Sequence, residues 1–349
     1  MSMLPQRWLR IGPMGRRRLA AFARNRRAVW SLRLFLIAFV LSLGAEFIAN
    51  DRPLLIVYDG RVFAPVLADY QESDFGLDLP VEADYQSEAL LKELGAKGWI
   101  IWPLVPFNYK STVLGLDHAA PAPPSWRNPL GTDDQQRDVI ARLIYGFRIS
   151  VLFGFTLTLI SSIVGVAAGA VQGYFGGWTD LLFQRFMEIW GGLPQLYLLI
   201  ILASIIQPSF WILLGLLLLF SWMGLVGLVR AEFLRSRNFD YVRAARALGV
   251  KDGAIMFRHI LPNAMVASLT FLPFIVSGST VTLTSLDFLG LGLPAGSPSL
   301  GEMLLQGKNN LNAPWLAFTG FFVIASMLSL LVFIGEGVRD AFNPRKNHV

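Results

Sequence analysis

Three histidines, no cysteine and a thin scatter of carboxylates are all that this 349-residue sequence offers to catalysis. His118, His259 and His348 each stand outside any H-E-x-x-H frame, and no G-x-S-x-G elbow occurs. The missing cysteines exclude a disulfide scaffold, a thiolate zinc site, an iron–sulfur cluster, a thiol nucleophile and a cysteine-borne lipid anchor. A phosphate loop needs a glycine pair at fixed spacing, then Lys and Ser/Thr, so that backbone amides cradle phosphate while the hydroxyl holds magnesium. The nearest approach, Gly301-Glu-Met-Leu-Leu-Gln-Gly307-Lys308-Asn309, has one residue too many between its glycines and Asn where the hydroxyl belongs. No catalytic, metal-ligating or cofactor-contacting residue is therefore assigned in this chain. If ATP drives the protein, ATP and magnesium belong to another chain. An intramembrane enzyme would need a nucleophile–base pair or metal ligands within apolar helices, and none is visible.

The elements that carry these residues are membrane-spanning. Hydrophobic residues make up 54% of the chain and charged ones only 15%, against roughly a quarter charged in soluble domains, and the mean hydropathy is +0.51. A spanning helix needs about 20 mostly apolar residues because its backbone must satisfy itself in hydrocarbon. Six runs meet this: Ala28–Ile48, Ile149–Gln172, Phe186–Ile206, Phe210–Val229, Ala264–Leu286 and Trp315–Gly335. The expected fold is an all-α integral membrane protein of six transmembrane helices. The net charge of +6 resides largely in two basic stretches beside apolar runs, which membrane orientation explains better than nucleic acid does, so no nucleic-acid partner is expected.

The first stretch (Arg7, Arg10, Arg16, Arg17, Arg18, Arg24, Arg26, Arg27) precedes an apolar run too long for a signal-peptide core and without a good cleavage site after it. It reads as an uncleaved anchor. The second stretch holds Arg230, Arg235, Arg237, Arg243, Arg246, Lys251 and Arg258, and the carboxyl end adds Arg339, Arg345 and Lys346. With six spans, the positive-inside rule puts all of these, and both termini, in the cytoplasm of a bacterial inner membrane. The division is then a basic N-terminus (1–27), a first span (28–48), an extracytoplasmic insertion (49–129) and a core (130–349). The core has an amphipathic outer helix (130–148), five spans and a cytoplasmic loop (230–263). In the insertion, Pro53–Val66 alternates around Asp59-Gly60 as a type I′ hairpin does, and a short helix over Tyr85–Leu94 is expected to stop at Gly95.

Within the second run, Ser161, Gly165, Gly169 and Gly173 recur every four residues, a ribbon that lets another helix backbone come close. Pro194 and Pro273 break a backbone bond inside apolar runs and are candidate hinges. Glu188 lies three residues from Arg185, a local pair. Asp287 ends the fifth run, and capping of the segment that follows accounts for it better than lining a passage.

The most informative segment is Phe239–Asn263. Tyr241, Ala245 and Leu248 recur at helical spacing, Gly249 can end a helix in the left-handed conformation, Asp252 can cap a second helix, and Pro262 marks the start of the fifth run. This is a helix–turn–helix, and its plain alternative is an amphipathic loop lying against anionic headgroups. The spacing Ala244-Ala245-x-x-x-Gly249, nine residues, then x-x-Leu261-Pro262 resembles the EAA loop of ATP-binding-cassette importer permeases. Arg243 stands where that loop usually has Glu, and His259 where it has Ile. The resemblance implies docking of a coupling helix into a cleft on an ATPase, through Tyr241, Arg243, Ala244, Ala245, Leu248, Gly249, Val250, Asp252, Leu261 and Pro262.

A second stretch, Leu130-Gly-Thr-Asp133, Arg137-Asp-Val139, Ala141-Arg-Leu-Ile-Tyr-Gly146 and Arg148-Ile-Ser150, is similar to the segment before the second span in C-type permeases of dipeptide and oligopeptide importers, with Gln136 where Gly is usual. Asp133 and Gln136 could form a capping box. The resemblance implies an outer-face docking role for Asp133, Arg137 and Asp138. Over its full length, including Asn50-Asp51-Arg-Pro-Leu-Leu, the chain resembles Yej-type permeases, associated with oligopeptides and the peptide–nucleotide antibiotic microcin C. That implies a second homologous permease, an ATPase of two chains or one fused chain, a periplasmic peptide-binding protein and surrounding membrane lipid. A stand-alone channel or secondary transporter would show ionisable mid-span residues or inverted repeats with broken helices, and neither is clear. A structural membrane scaffold is the remaining alternative.

Overall fold

The computed structural model describes residues 12–77, 80–116 and 118–342. Arg7, Arg10, Arg345, Lys346 and His348 lie outside the described residues. The chain forms two compact units: one takes the chain up to Leu36, Phe153–Val281 and the chain from Ser326; the other takes Ile37–Leu152 and Thr282–Ala325.

Helix α1 (Pro13–Arg24) opens on a proline, whose missing N–H would be unpaired in a first turn anyway. Helix α2 (Arg26–Leu43) follows, with Asn25 Oδ1 accepting the Ala28 amide at 3.2 Å, and α3 (Ala45–Ile48) resumes after Gly44. The run expected as one helix over Ala28–Ile48 is thus interrupted at Gly44.

In the second unit, β1 (Leu55–Tyr58) and β2 (Arg61–Phe63) form an antiparallel hairpin. Asp59 and Gly60 have φ of 49° and 74°, the two left-handed positions of a type I′ turn. Helix α4 (Glu88–Lys97), capped by Ser87, runs past Gly95, because Lys97 pairs with Glu93 at 2.7 Å and extends the last turn. A third strand, β3 (Gly98–Ile101), adds to the free edge of β1, giving the order β2-β1-β3. Ile56, Phe75, Leu90 and Leu94 are buried beneath this sheet with Tyr58 and Tyr85, and Phe75 meets both tyrosine rings edge-on. Burial raises the Tyr85 hydroxyl to about 12.

Helix α5 (Val139–Phe175) is continuous over 37 residues. The separate amphipathic helix expected at 130–148 is absent: residues 130–138 are irregular and the helix starts at Val139 because Asp138, not Asp133, caps it, Oδ1 accepting the Ala141 amide at 2.8 Å. Gln136, at φ 62°, turns the chain in the left-handed region and cannot belong to a capping box. Then come α6 (Gly177–Gly191) and α7 (Gln195–Ile205), split at Pro194, where a single run was expected. Helices α8 (Phe210–Ser221) and α9 (Met223–Ser236) meet at Trp222. Beyond them lie α10 (Asp240–Ala247), the single turn α11 (Asp252–Ala254), a π-helical segment Ile255–Ile260 and α12 (Leu261–Phe288). Pro262 cannot donate to the carbonyl four residues back, and the π segment sits immediately before it. Pro273 lies inside α12, which continues through it. Helices α13 (Leu300–Asn309) and α14 (Pro314–Phe342) are the last among the described residues. Among the described residues, four stretches, Val139–Phe175, Phe210–Ser236, Asp252–Phe288 and Pro314–Phe342, are helices long and apolar enough to cross a membrane.

The glycines of α5 bring it onto α9 backbone to backbone. A Cβ at Gly165 would come within 2.4 Å of the Trp222 carbonyl oxygen, one at Gly169 within 2.8 Å of that of Val226, and one at Gly173 within 2.5 Å of that of Arg230. Ser161, buried in the same row, donates to the Thr158 carbonyl oxygen at 3.2 Å.

Candidate functional site

Helix α10 ends in a complete Schellman motif: the Val250 amide reaches the Ala245 carbonyl at 3.1 Å and the Gly249 amide reaches that of Arg246 at 3.0 Å. That geometry needs a left-handed residue, and Gly249 has φ 77°. Val250, next along, packs on a buried cluster of Val229, Phe233, Val242, Ala245, Ile255 and Ile260. The turn is therefore seated from within while its tip stays bare.

Of the residues expected to dock, Ala245 is buried. Val242 and Ala245 face the core, whereas Tyr241 is 41% exposed and Leu248 84%, because the helix turns its Val-Ala face inward. Phe239 and Phe257 are also exposed, at 41% and 70%, and the Phe239 and Tyr241 rings lie 5.9 Å apart. Arg243, Ala244, Gly249, Asp252 and Pro262 are exposed as well; Leu261 is half-buried. The result is a projecting turn with apolar side chains at its tip and cations around it. Such a surface suits a partner that covers the apolar groups and answers the positive charge.

Asp252 does not cap the second helix; Lys251 precedes it, and the Asp252 carboxylate instead accepts the Tyr174 hydroxyl. Tyr174, buried at the end of α5, also carries the Arg246 guanidinium 5.4 Å from its ring centroid. The Tyr174 hydroxyl beside it holds Arg246 above its ordinary pKa. Arg237 donates to the Tyr174 carbonyl at 3.3 Å, satisfying the carboxyl end of α5. Beside it, Arg230 of α9 grips Asp180 of α6 with two guanidinium nitrogens, Nε and Nη2, at 2.5 and 2.6 Å, and keeps that carboxyl below its ordinary range. Sequence reasoning missed Tyr174 and Asp180, whose partners lie 78 and 50 residues away. Arg185 and Glu188 pair locally at 2.5 Å.

In the second unit, Asp133 and Asp138 are fully buried and Arg137 nearly so. Asp133 takes the Arg137 amide at 2.8 Å and its Nε at 2.7 Å; Asp138 takes the Asn128 side-chain amide at 2.7 Å. Burial pushes the Asp138 carboxyl above its ordinary range. Arg142, wholly buried, donates to Glu302 at 2.8 Å and to the Ser297 carbonyl at 3.0 Å. These side chains are spent internally, fastening the start of α5 to α13, so the docking role expected of Asp133, Arg137 and Asp138 has no exposed groups to act through. Asp287 is also spent: it accepts the Leu293 amide at 2.7 Å and the hydroxyl of Ser299, the residue that caps α13.

Residues 145–348, from within α5 onward, match the binding-protein-dependent transport system inner membrane component family. The chain belongs to that family. Two relatives are each 59% identical to it over the aligned residues. One is the peptidoglycan transport system permease protein YejE of Agrobacterium fabrum, over 96% of this chain and 94% of that protein. The other is the inner membrane ABC transporter permease protein YejE of Escherichia coli, over 97% and 99%. The oligopeptide transport system permease protein OppC of Lactococcus lactis is 38% identical over 62% of this chain and 75% of that protein. The protein is thus a permease subunit of an ATP-binding-cassette importer, a membrane transport component.

Proposed function

We propose that this permease pairs with a second, homologous permease to enclose a path for peptides or peptide-like compounds, and that an ATPase, two chains or one fused chain, docks on the turn at Leu248–Val250. The observation that carries this is the turn itself. It is rigidly seated by Val250 and the Schellman bonds, yet its tip is exposed and apolar, as an inserting element must be. ATP and magnesium act on the docked chains. Closure of the ATPase around ATP favours one position of the turn, and the permease pair follows as a population shift.

In this reading the chain crosses an inner membrane six times. The crossings are the six apolar runs, which fall within α2 with α3, α5, α6 with α7, α8 with α9, α12 and α14, the third beginning at Phe186 and the fourth ending at Val229, with both termini and the 230–263 loop on the cytoplasmic side. Basic residues flanking α2 and α9 support that orientation. The insertion at 49–129 then lies outside, where a periplasmic binding protein delivers its cargo. Peptide cargo is supported by the names of the relatives, which include an oligopeptide and a dipeptide permease. The test is uptake of a labelled tripeptide into vesicles holding the whole importer. Uptake should require ATP, the binding protein and this chain together; uptake that is indifferent to ATP would mark a stand-alone channel or secondary transporter instead.

A further inference from the structure

The turn at Gly249 has two arms, α10 before it and α11 after it, and one side chain from elsewhere in the fold touches both. The Tyr174 hydroxyl donates to Asp252 on the second arm, while the Arg246 guanidinium on the first arm lies over its ring, 5.4 Å from the centroid. Tyr174 itself is only 4% exposed and sits in the cluster that includes Val242 and Ala245 of α10 and Ile255 of the π segment. Arg237, at the end of α9, holds the carbonyl of the same residue. Tyr174 lies in the last turn of α5, a helix about 55 Å long at 1.5 Å per residue. Just beyond Phe175 the chain leaves the helix through Gly176 at φ 63°, so the tyrosine is among the last side chains that move with α5 as a rod.

We propose that Tyr174 is a positioning residue that couples the exposed turn to α5, so that displacement of the turn is passed to that helix through the relay Arg246, Tyr174, Asp252. The inference rests on the docking reading above and adds the route by which docking is felt. Packing alone, from Ala245 and Val250, could slide; a tyrosine whose ring lies under a cation of one arm and whose hydroxyl donates to an anion of the other fixes the turn relative to the helix end in direction as well as distance. Neither Arg246 nor Asp252 is otherwise paired by a salt bridge among the described residues, so both are free to serve this contact.

The test uses the complete importer in vesicles, comparing wild type with Tyr174→Phe, which keeps the ring in its cluster and removes only the hydroxyl. ATPase retention and basal ATP hydrolysis should stay at wild-type levels, while tripeptide imported per ATP hydrolysed falls at least threefold. That ratio separates positioning from mere structural damage, because fewer intact complexes would lower import and hydrolysis together and leave the ratio unchanged. Asp252→Ala, scored only in complexes that retain the ATPase, should lower the ratio similarly, and the double variant should be no worse than either single one, since both break one contact. If Tyr174→Phe fails to assemble, Asp252→Ala scored in that way carries the same test. An unchanged ratio in a coupled, ATPase-bound importer overturns this inference alone. A wild-type chain that retains no ATPase overturns the docking reading, and this inference with it.

Discussion

Replacing Gly169 by Ala tests whether α5 and α9 touch as backbones. The added Cβ would stand 2.8 Å from the Val226 carbonyl oxygen, 2.9 Å from Val229 Cβ and 3.1 Å from the Arg230 nitrogen. Carbon contacts prefer about 3.5–4.0 Å, so the helices must part by roughly 0.5–1 Å, and none of these atoms is the loose end of a side chain. Overpacking of that kind costs about 1–3 kcal/mol, against which the better helix propensity of Ala returns about 1 kcal/mol. Gly227→Ala supplies the reference: it lies on α9, exposed, with nothing within 4 Å of its missing Cβ, so it keeps the propensity gain and pays no steric cost. The difference between the two variants isolates the contact at about 1–3 kcal/mol. At roughly 2 °C per kcal/mol, the melting temperatures should differ by about 2–6 °C, Gly169→Ala being the lower. The assay is tryptophan-fluorescence melting of the purified chain in one detergent. Equal shifts for the two variants would refute close backbone packing of α5 on α9.

Arg142→Ala should destabilise the second unit by about 3 kcal/mol, since it leaves Glu302 without its 2.8 Å partner and Asp133 with one cation fewer; protease protection of Glu302-containing peptides reads this out. Gln136→Gly should raise the melting temperature, by relief of up to about 1 kcal/mol at φ 62°; a lowered value would show that the Gln side chain contributes more than the backbone loses. Arg230 lowers the Asp180 pKa in the folded protein, so the stability this carboxylate contributes is present above the ordinary pKa near 4 and is lost as pH falls through the lowered folded value. Melting temperature should therefore drop more steeply between pH 5 and pH 3 in wild type than in Asp180→Asn, and parallel profiles would contradict it.

Much of this was legible in residue order. Long apolar runs announce α5, α12 and α14 because hydrocarbon tolerates little else, and Asp59-Gly60 announces its hairpin because few residue pairs accept two left-handed positions. Gly249 announces the end of α10 for the same reason. What local spacing hid was decided by distant partners. Whether Asp133 or Asp138 caps α5 depends on how Gln136 turns the chain. Gly95 fails to stop α4 because Lys97 reaches both Glu93 and Tyr58 of β1. Strand β3 exists because β1 had a free edge. Helical spacing alone did not say which face of α10 turns inward; Val242 and Ala245 do, while Tyr241 and Leu248 point out, which is the signature of a surface made to be covered. Tyr174 gave no local signal at all.

The central claim is that an ATPase grips the exposed turn, and co-purification from membranes in mild detergent tests it most directly, with wild type beside Gly249→Asp. Nothing lies within 4 Å of the position's missing Cβ, so the substitution strains the left-handed turn and adds a charge to its tip without a clash inside the chain. An ATPase and a second permease should accompany the wild type, and the ATPase should be lost from the variant while the second permease remains. A chain that purifies alone, or an ATPase indifferent to position 249, would contradict the account.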